Sequence, residues 1–89
     1  MKALDLGSVI RHPISTEKAI RLMEAENVLV FVVDMRATKP LVKQAVEKAF
    51  ASRVVKVRTL VNRKGQKVAY VKFGKTSPAI DIATNLGLI

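Results

Sequence analysis

Six consecutive apolar residues, Val28-Leu29-Val30-Phe31-Val32-Val33, place the tightest limit on how this chain can fold. Four of the six are β-branched valines, whose stiff side chains suit a pleated strand better than a helix. Both alternating sets are apolar, so neither face of the strand can be left in water. A strand of this kind belongs inside a sheet that is covered on both sides. The run is also far too short to span a bilayer.

The segments around it supply the other layers. Val9-Ile10-Arg11 reads as a short strand stopped by Pro13. Ser15 or Thr16 can cap a helix with Glu17 in its first turn, an apolar stripe of Ala19, Ile20 and Met23 to about Glu24, and a break at Asn27. Thr38 is a good N-cap and Pro40 fits the first turn of a second helix. That helix presents Leu41, Val42, Ala45, Val46, Ala49 and Phe50 on one face, and Lys39, Lys43, Gln44, Glu47 and Lys48 on the other; it ends near Ser52. Residues 54–62 alternate as a strand, with Val55, Val57, Thr59 and Val61 on one side and Lys56, Arg58, Leu60 and Asn62 on the other. Lys64-Gly65 is a turn signal. Residues 67–73 return as the second arm of a hairpin, Ala69, Val71 and Phe73 alternating with Val68, Tyr70 and Lys72. Ser77 as N-cap and Pro78 as first helical residue open a last helix, with Gly87 as its stop.

Strand, helix, strand, helix, strand, strand, helix is an α+β order. The second helix has crossover length, so the strands flanking it are expected to run parallel, with the hairpin strand inserted between them. The predicted architecture is a split βαβ plait: a four-stranded, mainly antiparallel sheet with helices packed on one face. Residues 1–89 make a single domain.

A chain of this length buries only roughly 60–65% of its unfolded surface and leans on outside help. There is no cysteine, so no disulfide can form, and the lone His12 makes a zinc site a poor expectation. No metal or cofactor is expected. A polyanionic partner fits the charge. Of the 16 basic residues that give the net +9, twelve lie between Arg36 and Lys75, against the single acid Glu47. Solvated surfaces usually interleave both signs; segregation on this scale is the footprint of a nucleic-acid binder. Binding to anionic lipid would call for a basic amphipathic helix, whereas most of these cations fall in strand-like segments. The first seven residues hold no signal-peptide core and carry Asp5, so a cytoplasmic protein is expected.

Catalytic chemistry is not written into the chain. His12 has no evident partner beside Pro13, and a surface or partner-facing histidine is the simpler reading. The acids are scattered, and the single Gly65 is no phosphate-cradling loop. A non-enzymatic protein is expected. The candidate RNA-binding set is Lys56, Arg58 and Lys72 with Tyr70 between them; Arg63, Lys64 and Lys67 at the hairpin turn; Arg36, Lys39 and Lys43 at the start of the second helix; and Arg11 and Lys75. Ala69-Tyr70-Val71-Lys72-Phe73 also matches half of the RNA recognition motif octapeptide, whose aromatics stack on bases. A free-standing regulatory plait of that type is the alternative reading, although Lys67 and Val68 replace the glycine and first aromatic of the motif.

Longer stretches point to one family. Arg11-His12-Pro13-Ile14-Ser15-Thr16-Glu17-Lys18-Ala19, Asn27 to Asp34, Ala37-Thr38-Lys39-Pro40 through Glu47, Val57-Arg58-Thr59-Leu60-Val61 and Lys67-Val68-Ala69-Tyr70-Val71 resemble, in order and spacing, large-subunit ribosomal protein twenty-three. The ending from Ala79 to Ile89 looks like the archaeal and eukaryotic branch, and the lack of a long basic N-terminal extension points to an archaeal-type member. The resemblance implies the plait fold, a structural place in the large ribosomal subunit near the peptide exit tunnel, contacts with large-subunit rRNA and neighbouring ribosomal proteins, and transient docking of the signal recognition particle or nascent-chain chaperones. It implies Thr16, Glu17 and Arg21 as part of that docking surface. The sequence departs from the family at two points. Asn62 to Gln66 is a tight turn where bacterial members have a long tunnel-reaching loop, and Arg58 stands where the family often has asparagine.

Overall fold

The computed structural model describes residues 9–86; the N-terminal segment and the helix stop expected at Gly87 lie outside the described residues. The elements are β1 (Ile10–Pro13), α1 (Glu17–Glu26), β2 (Val28–Val33), α2 (Lys39–Phe50), β3 (Val54–Val61), β4 (Lys67–Phe73) and α3 (Ala79–Asn85). The strands form one sheet in the order β1-β2-β4-β3, antiparallel at every junction. Because β4 pairs with both β2 and β3, those two strands run parallel to each other across α2. This is the split βαβ plait of an α+β fold.

Register sorts the side chains into two faces. Leu29 opposes Val71 and Phe31 opposes Ala69 across β2 and β4, and Val57 and Thr59 continue these rows on β3. This inner face is buried under α2 and α3, where Phe31, Val71, Val42, Val46, Ala79 and Ala83 are sealed from solvent. The other set, Val28, Val30 and Val32, is buried as well, so all six residues of β2 are covered, as their composition requires. Part of that second cover is α1. Its Met23 enters the main core, while Ala19 and Leu22 pack with Ile14 against Val30, Val68 and Tyr70 on the outer face. α1 therefore lies along β2 and reaches both sides of the sheet. Its stripe is Ala19, Leu22 and Met23; Ile20, assigned to the stripe from sequence, is 38% exposed.

The helix caps are local for the first two helices and remote for the third. Thr16 Oγ1 accepts from Ala19 N–H at 3.2 Å, and Thr38 Oγ1 accepts from Leu41 N–H at 3.4 Å. Ser77 does not cap α3; its Oγ accepts from Arg53 N–H at 2.9 Å. Pro78 occupies the N-cap position without a side-chain bond. The acceptor comes from Asn27, whose Oδ1 takes the Ala79 N–H at 2.6 Å while its Nδ2 donates to the carbonyls of Phe73 and Gly74. Asn27 also ends α1 in the left-handed region, at φ 59. One residue thus stops one helix and starts another.

Further positions depart from the expected burial; Val61, on the same side of β3 as Val57, is 55% exposed. Between Val54 and Lys56 the β3–β4 register shifts, which makes Val55 an extra residue. Val54 takes the inner place opposite Phe73, and Val55, expected inside, is 61% exposed. Ala49 shares the core side of α2 but is exposed in its last turn, where it finds no cover among the described residues. Phe50 is half-buried and stacks on Phe31, with ring centroids 5.8 Å apart.

Candidate nucleic-acid interface

The outer face of β3 and β4 is built by the same alternation that fills the core. Each inward Val57, Val71 or Phe73 forces its chain neighbours outward. Across the two strands Lys56 opposes Lys72, Arg58 opposes Tyr70, and Leu60 opposes Val68. These partners share one face, so three cations and one phenol are brought together as the sequence pattern predicts. The Arg58 guanidinium carbon lies 5.3 Å from the Tyr70 ring centroid. A third element joins them: Lys18 of α1 holds its Nζ 6.0 Å from the same centroid. Lys18 was missed in the sequence. The available signal was its helical spacing from Leu22, four residues on, which packs against Tyr70.

Lys56, Arg58, Tyr70 and Lys72 line a groove of about 180 Å³ with Leu22, Val28 and a single acid, Glu26. Lys56 and Lys72 sit directly opposite each other on neighbouring strands, an arrangement that repels in the free protein. A phosphate bound between them converts that repulsion into attraction. Lys72 also borders, with Lys75, a second depression beside Glu24 and Glu26 at the end of α1.

The remaining predicted cations do not join this face. Arg63 and Lys64 are exposed in the hairpin turn. Asn62 holds that turn: its Oδ1 accepts from both Lys64 N–H and Gln66 N–H at 3.0 Å, and Gly65 supplies the positive φ of 77. Lys67 belongs to the inner register and donates from Nζ to the Ala37 carbonyl at 2.6 Å. Lys39 and Lys43 are exposed on α2, the helix layer of the inner face. Arg11 and Arg36 meet at the far end of β2, where both approach the buried Asp34, at 3.5 Å and 3.2 Å. The basic window is thus divided among the sheet face, the turn, the helix layer and the β2 end.

Base stacking has little to work with. Phe31 and Phe73 are buried on the inner face and Phe50 packs on Phe31, so Tyr70 is the one ring on the outer face, already approached by two cations. The half-match to the RNA recognition motif lies on the right strand without the exposed aromatics that the motif needs.

On α1, Thr16 is occupied as a helix cap, and Arg21 donates from Nη2 to Glu17 Oε1 at 2.8 Å. Both partners of that ion pair are largely exposed. His12 is exposed, with Nδ1 3.3 Å from the Pro13 carbonyl oxygen. Among the described residues there is no cluster of metal-ligating side chains and no helix long and apolar enough to cross a membrane. The family model described as Ribosomal protein L23 matches this chain over residues 8–82.

Proposed function

The chain belongs to the ribosomal protein L23 family, and on that premise we propose that it is a structural, non-catalytic constituent of the large ribosomal subunit that grips large-subunit rRNA with the outer face of β3 and β4. The observation that carries the reading is the register: Lys56 opposite Lys72 and Arg58 opposite Tyr70, in a groove whose one acid is Glu26. Phosphate neutralisation is the mechanism this geometry supports, since the site offers clustered charge and almost no free aromatic surface. The whole chain, 1–89, acts as one rRNA-binding domain in the cytoplasmic ribosome. Its place is near the peptide exit tunnel, beside other ribosomal proteins. The exposed Thr16–Arg21 turn, away from the basic strands in sequence and mixed in charge, is the surface offered to the signal recognition particle or nascent-chain chaperones.

The test is filter binding of the purified protein to large-subunit rRNA over a range of salt. If about 6–10 phosphates are neutralised, affinity falls roughly 10³–10⁵-fold between 50 and 200 mM salt. Replacing Lys56, Arg58 and Lys72 together by alanine lowers affinity and flattens the slope of log affinity against log salt by about 2–3. Unchanged binding by a folded triple variant would move the RNA to another surface.

A further inference from the structure

Asp34 is the one buried charged residue among the described residues. It follows directly on the last residue of β2, and its carboxylate is saturated with donors. Oδ1 accepts from the Arg36 N–H at 2.9 Å and from Arg36 Nε at 3.2 Å. Oδ2 faces Arg36 Nη2 at 3.3 Å and Arg11 Nη2 at 3.5 Å. The side-chain and backbone hydrogen bonds from Arg36 hold the carboxyl at about 2, so it is ionised at any physiological pH. The two arginine side chains remain mostly exposed, at 62% and 72%. Together with His12, Met35, Gly65 and Lys67 they wall an open cleft of about 590 Å³.

A buried carboxylate could serve only to clip β1 to the end of β2. That role needs one partner and gains little from a second mostly exposed arginine. What the arrangement adds is aim. One fixed anion orients two guanidiniums, on β1 and in the turn after β2, into the same cleft. Each guanidinium has five N–H donors; Arg36 spends two on Asp34 and Arg11 one. The remaining donors belong to side chains that line the cleft, whose charges, Arg11, Arg36 and Lys67 against Asp34, sum to positive. Planar donor forks of this kind match phosphate oxygens in pairs.

We propose that Arg11 and Arg36 form a second phosphate clamp for the RNA backbone, separate from the outer-face patch, with Asp34 as its positioning residue. The inference rests on the RNA reading above and deepens it. Lys67 at this end of β4 and Lys72 at the other are roughly 17 Å apart at the rise of an extended strand. One RNA segment, or two, is held at both ends of the sheet.

The deciding variant is Asp34→Asn. It raises the net charge by one, so simple attraction would strengthen RNA binding. Loss of aim does the opposite: the expected result is a roughly ten-fold weaker affinity for large-subunit rRNA, with the salt slope reduced by about one. A purely structural role would shift the melting temperature and leave that slope alone. Arg11→Lys/Arg36→Lys is the companion, keeping both charges and losing the forks; it too is expected to bind about ten-fold more weakly. If Asp34→Asn fails to fold, the lysine pair alone decides. Wild-type binding with equal or tighter binding by the variants overturns the clamp and leaves the outer-face reading standing. Absence of binding by the wild-type protein overturns both. Variants that keep their rRNA affinity but lose affinity for poly-glutamate assign the cleft to an acidic protein segment and overturn the proposal.

Discussion

The two faces of the β3–β4 hairpin come from alternate residues of the same strands, yet they obey opposite rules. On the inner face the central cross-strand pairs are apolar: Val71 against Val57 and Phe73 against Val54, under α2 and α3. On the outer face Lys56 is set against Lys72, a pair that costs the free protein stability. Ala19 and Leu22 of α1 close the outer face over Val30 of β2 and Val68 of β4; the part around Lys56, Arg58 and Lys72 is left open and basic. A small domain does not leave half a sheet uncovered and self-repelling for its own stability. The contrast separates the part of the fold that is complete in itself from the surface assigned above, as a proposal, to RNA.

Three substitutions test that division. Phe31→Ala has the largest expected effect. The ring is fully buried on the inner face and stacks on Phe50, so its loss costs about 3–5 kcal/mol in urea unfolding. A cost below about 1 kcal/mol would mean that the inner face is not the core. Asn27→Ala comes next. It strips the Ala79 N–H of its cap and removes donors from two carbonyls at the end of β4, and it places alanine at a positive φ. About 1–3 kcal/mol is expected, with amide exchange in α3 accelerated before that in α1. Equal acceleration throughout would show that Asn27 does not specifically dock α3. Smallest is Lys56→Ala on the open face. Thermal unfolding without RNA changes by a few tenths of a kcal/mol or less, in the stabilising direction, because a like-charge pair is relieved. Destabilisation beyond about 1 kcal/mol would show that Lys56 supports the fold and would erase the contrast between the faces.

Much of this was legible beforehand. The all-apolar run at β2 required cover on both faces, and all six of its residues are buried. Alternation along β4 placed Tyr70 and Lys72 opposite in sense to Val71 and Phe73, because a strand's side-chain period is two wherever the chain is regular. Thr38 announced its helix, and the Ser15-Thr16 pair announced the first, with Thr16 the one that caps, since a cap bond spans only three residues. These are all relations between near neighbours, and local geometry settles them.

Tertiary structure decided the rest. Val55 left the core because β3 carries a bulge against β4, and a bulge is a property of two paired strands. Ser77 yielded its cap to Asn27, 52 residues distant from Ala79, because the end of α1 comes to rest beside the start of α3. Lys18 reached Tyr70 only because α1 lies along β2. Lys67, one of the twelve cations between Arg36 and Lys75, was withdrawn to the inner register by its pairing with Val33 and Val61. Composition determined that the chain carries a strongly basic half. Which of those charges share a surface depended on strand register and helix docking, and these are set by burial of the whole core at once, beyond the reach of any one segment.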